Sequence, residues 1–390
     1  MDNAERSPGH GRGRLRSPST RLLNVFLCGD VMTGRGVDQI LSHPSNPRLH
    51  EYLVHDARRY VSLAEEVSGP IPGRVTAQYI WGDALEDLER EAPGARIVNL
   101  ETSITCSDAY WPDKGVHYRM HPKNIGCLTA ARIDVCALAN NHIMDWGAPG
   151  LFDTVDALRE AGMQSAGAGR NAAEARWPAL VELGDARRLI VFALASETSG
   201  VPPKWRAADE VPGIELIADL SERTAAAVSE RIRKIKRRGD LAIASIHWGS
   251  NWGYDVPEEF VRFAHWLVAG GVDLVHGHSS HHIRPIEVER GHLILYGCGD
   301  FIDDYEGIAG YEEFRGDLVL MFFATLDTTS GELAGLRMVP MQIRKMRLNR
   351  PTREDVRWLA GRVALISAQF GSSVEVEPDG SLRLHWREEA

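Results

Sequence analysis

Positive charge is in deficit along this chain: 54 acidic residues stand against 44 basic ones, for a formal net charge of −10. A broad nucleic-acid footprint needs concentrated positive charge, so that class of partner is excluded. Long apolar runs are missing as well. No segment approaches the roughly 18 apolar residues that a membrane-spanning helix needs. Met1 to Thr20 is rich in Arg, Ser, Gly and Pro, without an apolar stretch of signal length, and reads as a disordered tail or an upstream start-site extension. Cysteine is scarce. Cys28, Cys106, Cys127, Cys136 and Cys298 form an odd set with no close pair, which excludes a disulfide scaffold and suits reduced thiols in a cytoplasmic protein. Internal repeats and long linkers are absent too.

What is present is enough apolar residue to bury a full-sized core: 44% of 390 positions. The hydrophobic patterning predicts helices at 51–66, 82–92, 122–132, 148–162, 221–237 and 256–269, alternating with strands at 22–28, 95–98, 134–139, 188–195, 241–246 and 272–276. From Gly291 the pattern turns to hairpins, with strands at Leu293–Tyr296, Leu318–Thr325 and Leu336–Arg344 expected to form a second sheet. A helix over 352–369 and a hairpin around Pro378-Asp379-Gly380 close the chain. The expected organisation is a tail at 1–20, one large α/β domain at 21–348 and an appendage at 349–390.

Five apolar strand runs end in polar residues that carry chemistry. Leu22–Leu27 leads into Gly29-Asp30, Ala95–Val98 into Asn99-Leu100-Glu101, and Val135–Ala139 into Asn140-Asn141-His142. Leu241–Ser245 leads into His247-Trp248-Gly249, and Gly271–Val275 into His276-Gly277-His278-Ser279-Ser280-His281-His282. Open α/β sheets bind ligands at the carboxyl ends of their strands. Asp30, Glu101, Asn141, His142, His247, His278 and His281 mix oxygen and imidazole donors in the way a divalent transition metal requires.

In the same order, Gly29-Asp30-Val31-Met32-Thr33-Gly34-Arg35, Asn99-Leu100-Glu101, Ala139-Asn140-Asn141-His142, His247-Trp248-Gly249, Gly277-His278-Ser279-Ser280-His281 and Tyr296-Gly297-Cys298-Gly299-Asp300-Phe301 resemble the successive motifs of the CapA family. That family is named for poly-γ-glutamate capsule synthesis and is related to the calcineurin-like metallophosphatases. The resemblance implies a four-layer α/β/β/α sandwich. It also implies a metal held by Asn141, His247 and His278 with Glu101 as the bridging carboxylate. A second position would retain Asp30, Glu101 and His281 or His282 but lack one ligand, because Met32 stands where the metallophosphatase pattern has histidine. One firmly held manganese, iron or zinc ion is therefore expected. His142 resembles the phosphatase histidine that protonates a leaving group; Asp30, His142 and His281 are the candidate acid/base residues.

Other residues keep two readings each. Asp145 either orients His142 or caps the helix that follows. Arg35 either holds an anionic substrate group by paired hydrogen bonds or is a surface charge at a turn. His276 is favoured as a structural histidine, pointing to the opposite face from a neighbouring ligand. Asp300, Asp303 and Asp304 form an acidic loop, more commonly solvated than metal-bound. Trp248 and Trp252 are an aromatic wall for substrate or plain core. Arg231–Arg238 is the solvated end of a helix or a polyanion dock.

These expectations converge on a metal-dependent enzyme acting on a carboxylate-bearing peptide or a poly-γ-glutamate-type polymer, with the metal polarising a carbonyl. Two alternatives stay open: Cα epimerisation of a ribosomal lasso-type peptide, as in some members of the family, and a non-catalytic binding or assembly subunit.

Overall fold

The computed structural model describes residues 21–112 and 114–387; the tail expected at 1–20 falls outside them. Strands β1 (Leu22–Val31), β2 (Ala95–Leu100), β3 (Val135–Ala137) and β4 (Gln164–Ala166) begin one sheet. A second sheet comprises β5 (Ala179–Gly184), β6 (Arg187–Ala195), β7 (Leu241–His247), β8 (Leu274–His278), β9 (Ile286–Glu289) and β10 (His292–Leu295). The chain then returns to the first sheet with β11 (Asp300–Ile302), β12 (Leu318–Asp327), β13 (Leu333–Ile343), β14 (Leu348–Asn349), β15 (Ser372–Val376) and β16 (Leu382–Trp386). The first sheet runs β15-β16-β13-β12-β1-β2-β3-β4, with β11 beside β1 and β14 beside β13; the second runs β9-β10-β8-β7-β6-β5. The expected division of strands was therefore wrong. Only Leu293–Tyr296 enters the second sheet, while the two long hairpin strands pair with β1 and with each other. Long-range pairing decides that assignment, and local patterning does not report it.

Helices α1 (Arg35–Ile40), α2 (Arg58–Ser68), α3 (Ala84–Glu91), α4 (Gly147–Glu160), α5 (Glu222–Ile235), α6 (Glu258–Ala269) and α7 (Arg353–Ser367) surround the sheets. The helix expected from 51 starts only at Arg58, because Leu49 and Ala57 donate to His55 and Pro47 in a tight loop. The one expected over 122–132 breaks at Ile125 into a 3₁₀ turn, Pro122–Asn124, and a short helix, Gly126–Ala130.

Side-chain alternation explains the layers. On β7, Ala242, Ala244 and Ile246 pack with Val228 and Ile232 of α5 and Phe263 and Leu267 of α6, whereas Leu241 and Ile243 join the core shared with the first sheet. Successive strand residues face opposite ways, so Ser245 and His247 share the inner face with Leu241 and Ile243. On the far side, Arg96 donates to the carbonyls of Leu88 in α3 and Ala131 after the short helix Gly126–Ala130. The result is the α/β/β/α sandwich, with an inter-sheet seam that changes from apolar to polar toward the carboxyl ends. Residues from 349 onward add α7 and the β15–β16 hairpin at the edge of the first sheet. Among the described residues no helix is long and apolar enough to cross a membrane.

His276 crosses that seam. Its Nε2 lies 2.7 Å from the Cys28 carbonyl of β1 and its Nδ1 3.1 Å from Ser245 Oγ. It shares the inner face with His278, not the opposite one, because the two are two residues apart on β8. Burial lowers its pKa to about 4. Between that value and an unfolded value near 6.5 the unfolded chain binds one more proton, so His276 contributes stability above pH 6.5 that is lost as the pH falls toward 4. In His276→Gln, urea unfolding measured across pH 4–6.5 is expected to show a proton uptake smaller by about one; an unchanged slope would refute this.

Candidate metal centre

Asp30 is the penultimate residue of β1, where that strand meets the chain entering β11. A Cβ at Gly29 would lie 1.7 Å from the Gly299 carbonyl oxygen, so only glycine permits the approach. Asp30 N–H donates to Gly299 O at 2.9 Å, and Asp30 and Asp300 stand in register as paired residues. Asn99 Nδ2 donates to Asp30 Oδ1 at 2.7 Å, and the Ser279 amide reaches Oδ2 at 3.2 Å. Ser279 holds φ at 101°, an uncommon angle for a residue with a side chain. Such strain concentrates at functional sites.

The second sheet brings the imidazoles. His247 Nδ1 and His278 Nδ1 lie 2.9 Å apart, His278 Nδ1 is 3.8 Å from Asp30 Oδ1, and the ligand atoms of these three residues all lie within 4.8 Å of one another. Asn141 Oδ1 is 3.0 Å from His247 Nε2, and Glu101 Oε1 is 4.0 Å from the same nitrogen. Asn140, by contrast, works within the first sheet: its Nδ2 donates to Asn99 Oδ1 and Leu100 O, and its Oδ1 accepts the amides of His142 and Ile143. That anchoring turns Asn141 into the cluster.

Burial, with the charge of Asp300 behind it, raises Asp30 to about 7. Burial, then Asp30 and Asp300, raises Glu101 as well. Burial lowers His247 and His278, each helped by neighbouring imidazoles, so both are held neutral and able to ligate. Glu101 Oε2 is buried with no hydrogen-bond partner among the described residues. Neutral imidazoles, an amide oxygen, an unsatisfied carboxylate and a second acid beside it suit a divalent transition metal; the donor set fits one.

Beside the cluster stands a proton-handling group. His142 Nδ1 lies 2.6 Å from Asp145 Oδ2, its Nε2 3.7 Å from Glu101 Oε1, and its ring stacks on Tyr118 at 3.8 Å. Helix α4 has Trp146 at its N-cap and no side-chain cap, so Asp145 orients His142 and does not cap. The sequence reading missed Lys114. Its Nζ ion-pairs with Asp145 and lies 3.0 Å from His142 Nδ1. Lys114 stands in an irregular loop of Trp, Pro and Gly, where no periodicity marks a functional residue. Burial raises Asp145 to about 6 against the pull of Lys114, and lowers Lys114 against the pull of Asp145.

Several candidates lie elsewhere than expected. His281 is outside the three-residue cluster: its Nδ1 is 3.0 Å from Asp300 Oδ1 and its Nε2 3.1 Å from Asn251 Nδ2. Burial works against its charged form, but Asp300 outweighs it and raises His281 to about 9. His282 stacks on Phe314 at 4.6 Å and accepts no role near Asp30. Trp248 is core, stacked on Phe260 at 5.0 Å on the helix side of the second sheet. Trp252 stacks on Tyr311 at 4.0 Å, and both line the cavity described below. The acidic loop is not solvated: Asp300, Asp303 and Asp304 are all buried. Arg35 is no surface charge either. It is 5% exposed, ion-paired with Asp304, 3.3 Å from Glu51 Oε1, and lies 3.8 Å over the Tyr60 ring. The basic run Arg231–Arg238 spends Arg231 on Glu215 and Lys234 on Glu230.

A cavity of about 950 Å³ opens from Glu101, Asn141, His142 and Asp300 past Lys114, Tyr118 and His281 to Trp252, Tyr311 and Arg344.

A layered α/β/β/α sandwich with imidazoles and carboxylates converging at its strand ends is the setting of this candidate metal centre. Residues 24–305 match the family described as Bacterial capsule synthesis protein PGA_cap, and the chain belongs to that family. It is 50% identical over 364 residues to a probable polyglutamine synthesis accessory protein of Mycobacterium tuberculosis (strain CDC 1551 / Oshkosh), covering 93% of this chain and 96% of that one. It is 23% identical to the PGA biosynthesis protein CapA of Bacillus subtilis (strain 168), covering 75% of this chain and 66% of that one. The solved 5′-nucleotidase precursor from Thermus thermophilus is a looser likeness, with a TM-score of 0.46 and 15% identity over 88% of this chain and 59% of that one. It says nothing about activity here.

Removing one partner of a buried ion pair leaves the other uncompensated. Lys114→Met is therefore expected to lower unfolding stability by about 3 kcal/mol, and Lys114→Arg by much less. Urea denaturation of both variants at pH 7.5 checks this; equal stabilities would show that Lys114 does not support Asp145.

Proposed function

We propose that this protein is a metal-dependent enzyme acting on a carboxylate-bearing peptide or a poly-γ-glutamate-type polymer. The observation that carries the reading is the buried Asp30–His247–His278 group, with Asn141 and Glu101 beside it, of which Asn141 and Glu101 line a cavity of about 950 Å³. The kinship to capsule and polyglutamine synthesis proteins supports the substrate class. A divalent ion, when bound, polarises a carbonyl or phosphoryl oxygen and brings the pKa of bound water toward neutrality.

The chain's own residues supply the rest. Asn141, His247 and His278, with Glu101 and Asp30 beside them, would hold the ion. His142, fixed through Nδ1 by Asp145, presents Nε2 to the side of the site that Glu101 occupies and exchanges a proton there. Tyr118 keeps the imidazole in plane from one face. Trp252 and Tyr311 give an extended substrate a flat wall, and Arg344, exposed at the cavity rim, offers a cation to a carboxylate. The guanidinium of Arg35 is already engaged by Asp304 and Glu51, so its part is to fix the cavity wall.

Metal analysis of freshly purified protein, with His247→Ala alongside, tests the metal. The unaltered chain is expected to carry a divalent transition ion. The variant should bind it more weakly by more than the roughly 10–100-fold typical of losing an outer-shell partner. Incubation of the loaded protein with poly-γ-glutamate in deuterated water then tests the reaction. New amine ends support cleavage, and deuterium at Cα without cleavage transfers the reading to epimerisation. Polymer binding with neither outcome leaves an assembly subunit.

A further inference from the structure

On the helix side of the second sheet, away from the inter-sheet seam, another group of metal-binding side chains comes together. Ile286 and Val288 of the edge strand β9 pack into the core shared with the first sheet, so Glu287 and Glu289 point the other way, toward α6. Helix α6 meets them with His265, whose Nε2 lies 3.1 Å from Glu287 Oε2 and 4.0 Å from Glu289 Oε2. One ligand atom from each of the three residues lies within 4.8 Å of the other two. Glu287 is buried, and the Tyr296 hydroxyl donates to its Oε2 at 2.6 Å. Arg290 Nε stands 3.4 Å from Glu289 Oε1, which leaves Oε2 for the imidazole side.

We propose that His265, Glu287 and Glu289 form a zinc site that ties α6 to the edge of the second sheet. One imidazole and two carboxylates are donors that zinc accepts, with water in the fourth place. An imidazole in the set favours zinc over magnesium or calcium, which prefer oxygen alone. Ligand atoms held about 2 Å from one ion in a tetrahedron stand roughly 3.3 Å apart. His265 and Glu287 are already near that spacing, and the half-buried Glu289 needs only a small side-chain adjustment. Tyr296 orients the Glu287 carboxylate from behind, as an outer hydrogen-bond donor does for a ligating group. The fold gains from the ion too. Glu287 and Glu289 share one face of a strand whose sheet partner, among the described residues, is β10 alone. A cation between them relieves their mutual repulsion and adds a link to the neighbouring helix.

Zinc titration of the full-length, chelator-stripped protein, with metal analysis after gel filtration in metal-free buffer, tests the site in the unaltered chain, His265→Gln, Glu289→Gln and His247→Ala. The unaltered chain is expected to keep a zinc ion that His247→Ala does not remove. Both His265→Gln and Glu289→Gln should bind that ion at least about 10-fold more weakly. His265 and Glu289 are partly exposed, so both variants should stay folded by circular dichroism. Zinc should also raise the unfolding temperature of His247→Ala, and adding His265→Gln to that background should abolish the rise. Equal zinc retention by the unaltered chain and both glutamine variants overturns the site. An unaltered chain whose every zinc ion is lost in His247→Ala overturns it as well, and leaves the seam centre standing. A single zinc ion that His265→Gln removes and His247→Ala leaves in place supports the site and overturns the seam centre instead. Loss in His265→Gln alone overturns the part of Glu289.

Discussion

Excess negative charge at the polar end of the inter-sheet seam is the constraint on which the rest of this structure turns. Asp30, Glu101, Asp300 and Asp303 are all buried where the two sheets meet. At an effective dielectric near 20, two like charges about 4 Å apart repel by roughly 4 kcal/mol. Protonation or a cation must relieve that repulsion. The nearby cations do only part of this: Arg35 is committed to Asp304 and Glu51, and Lys114 to Asp145. His281 answers Asp300. Asp30 and Glu101 share a side-chain hydrogen bond, and burial holds the neighbouring His247 and His278 neutral, so neither imidazole serves them as a counter-ion.

The fold is arranged so that this charge is tolerated at one end only. The inner face of β7 reads Leu241, Ile243, Ser245, His247, and that of β8 reads Leu274, His276, His278. Apolar contact drives the sheets together over the first half of each strand, and polar groups fill the second half. His276 marks the transition, bonded to a backbone carbonyl of the opposite sheet. Any unpaired polar group placed farther along the apolar half would lose its hydration without compensation, so the site is confined to the carboxyl ends.

Much of this was legible. Strand ends flanked by Asp30, Glu101, Asn141, His247 and His278 were identified because a buried strand is a short apolar run and its polar stop is conspicuous. Parity along the same strands carried more than was taken from it. Counting by twos from Ala242 through Ala244 and Ile246 places Trp248 on the helix side, and counting from Leu274 places His276 beside His278. What parity cannot give is pairing between distant segments. Asp300 gained its place by standing next to Asp30 across 270 residues of chain, Lys114 by a loop with no period, and β12 and β13 by pairing back to β1 and to each other.

The replacement of a ligand position by Met32 bears on chemistry as well as on binding. In-line displacement at phosphorus with two ions requires that both attacking and leaving oxygens be held. His142 stands on the Glu101 side, fixed by Asp145, and His281 stands across the centre on the Asp300 side, held charged. An acid and a base so placed, beside a cavity lined by Trp252 and Tyr311, are what the acyl or Cα chemistry proposed above would require of this site.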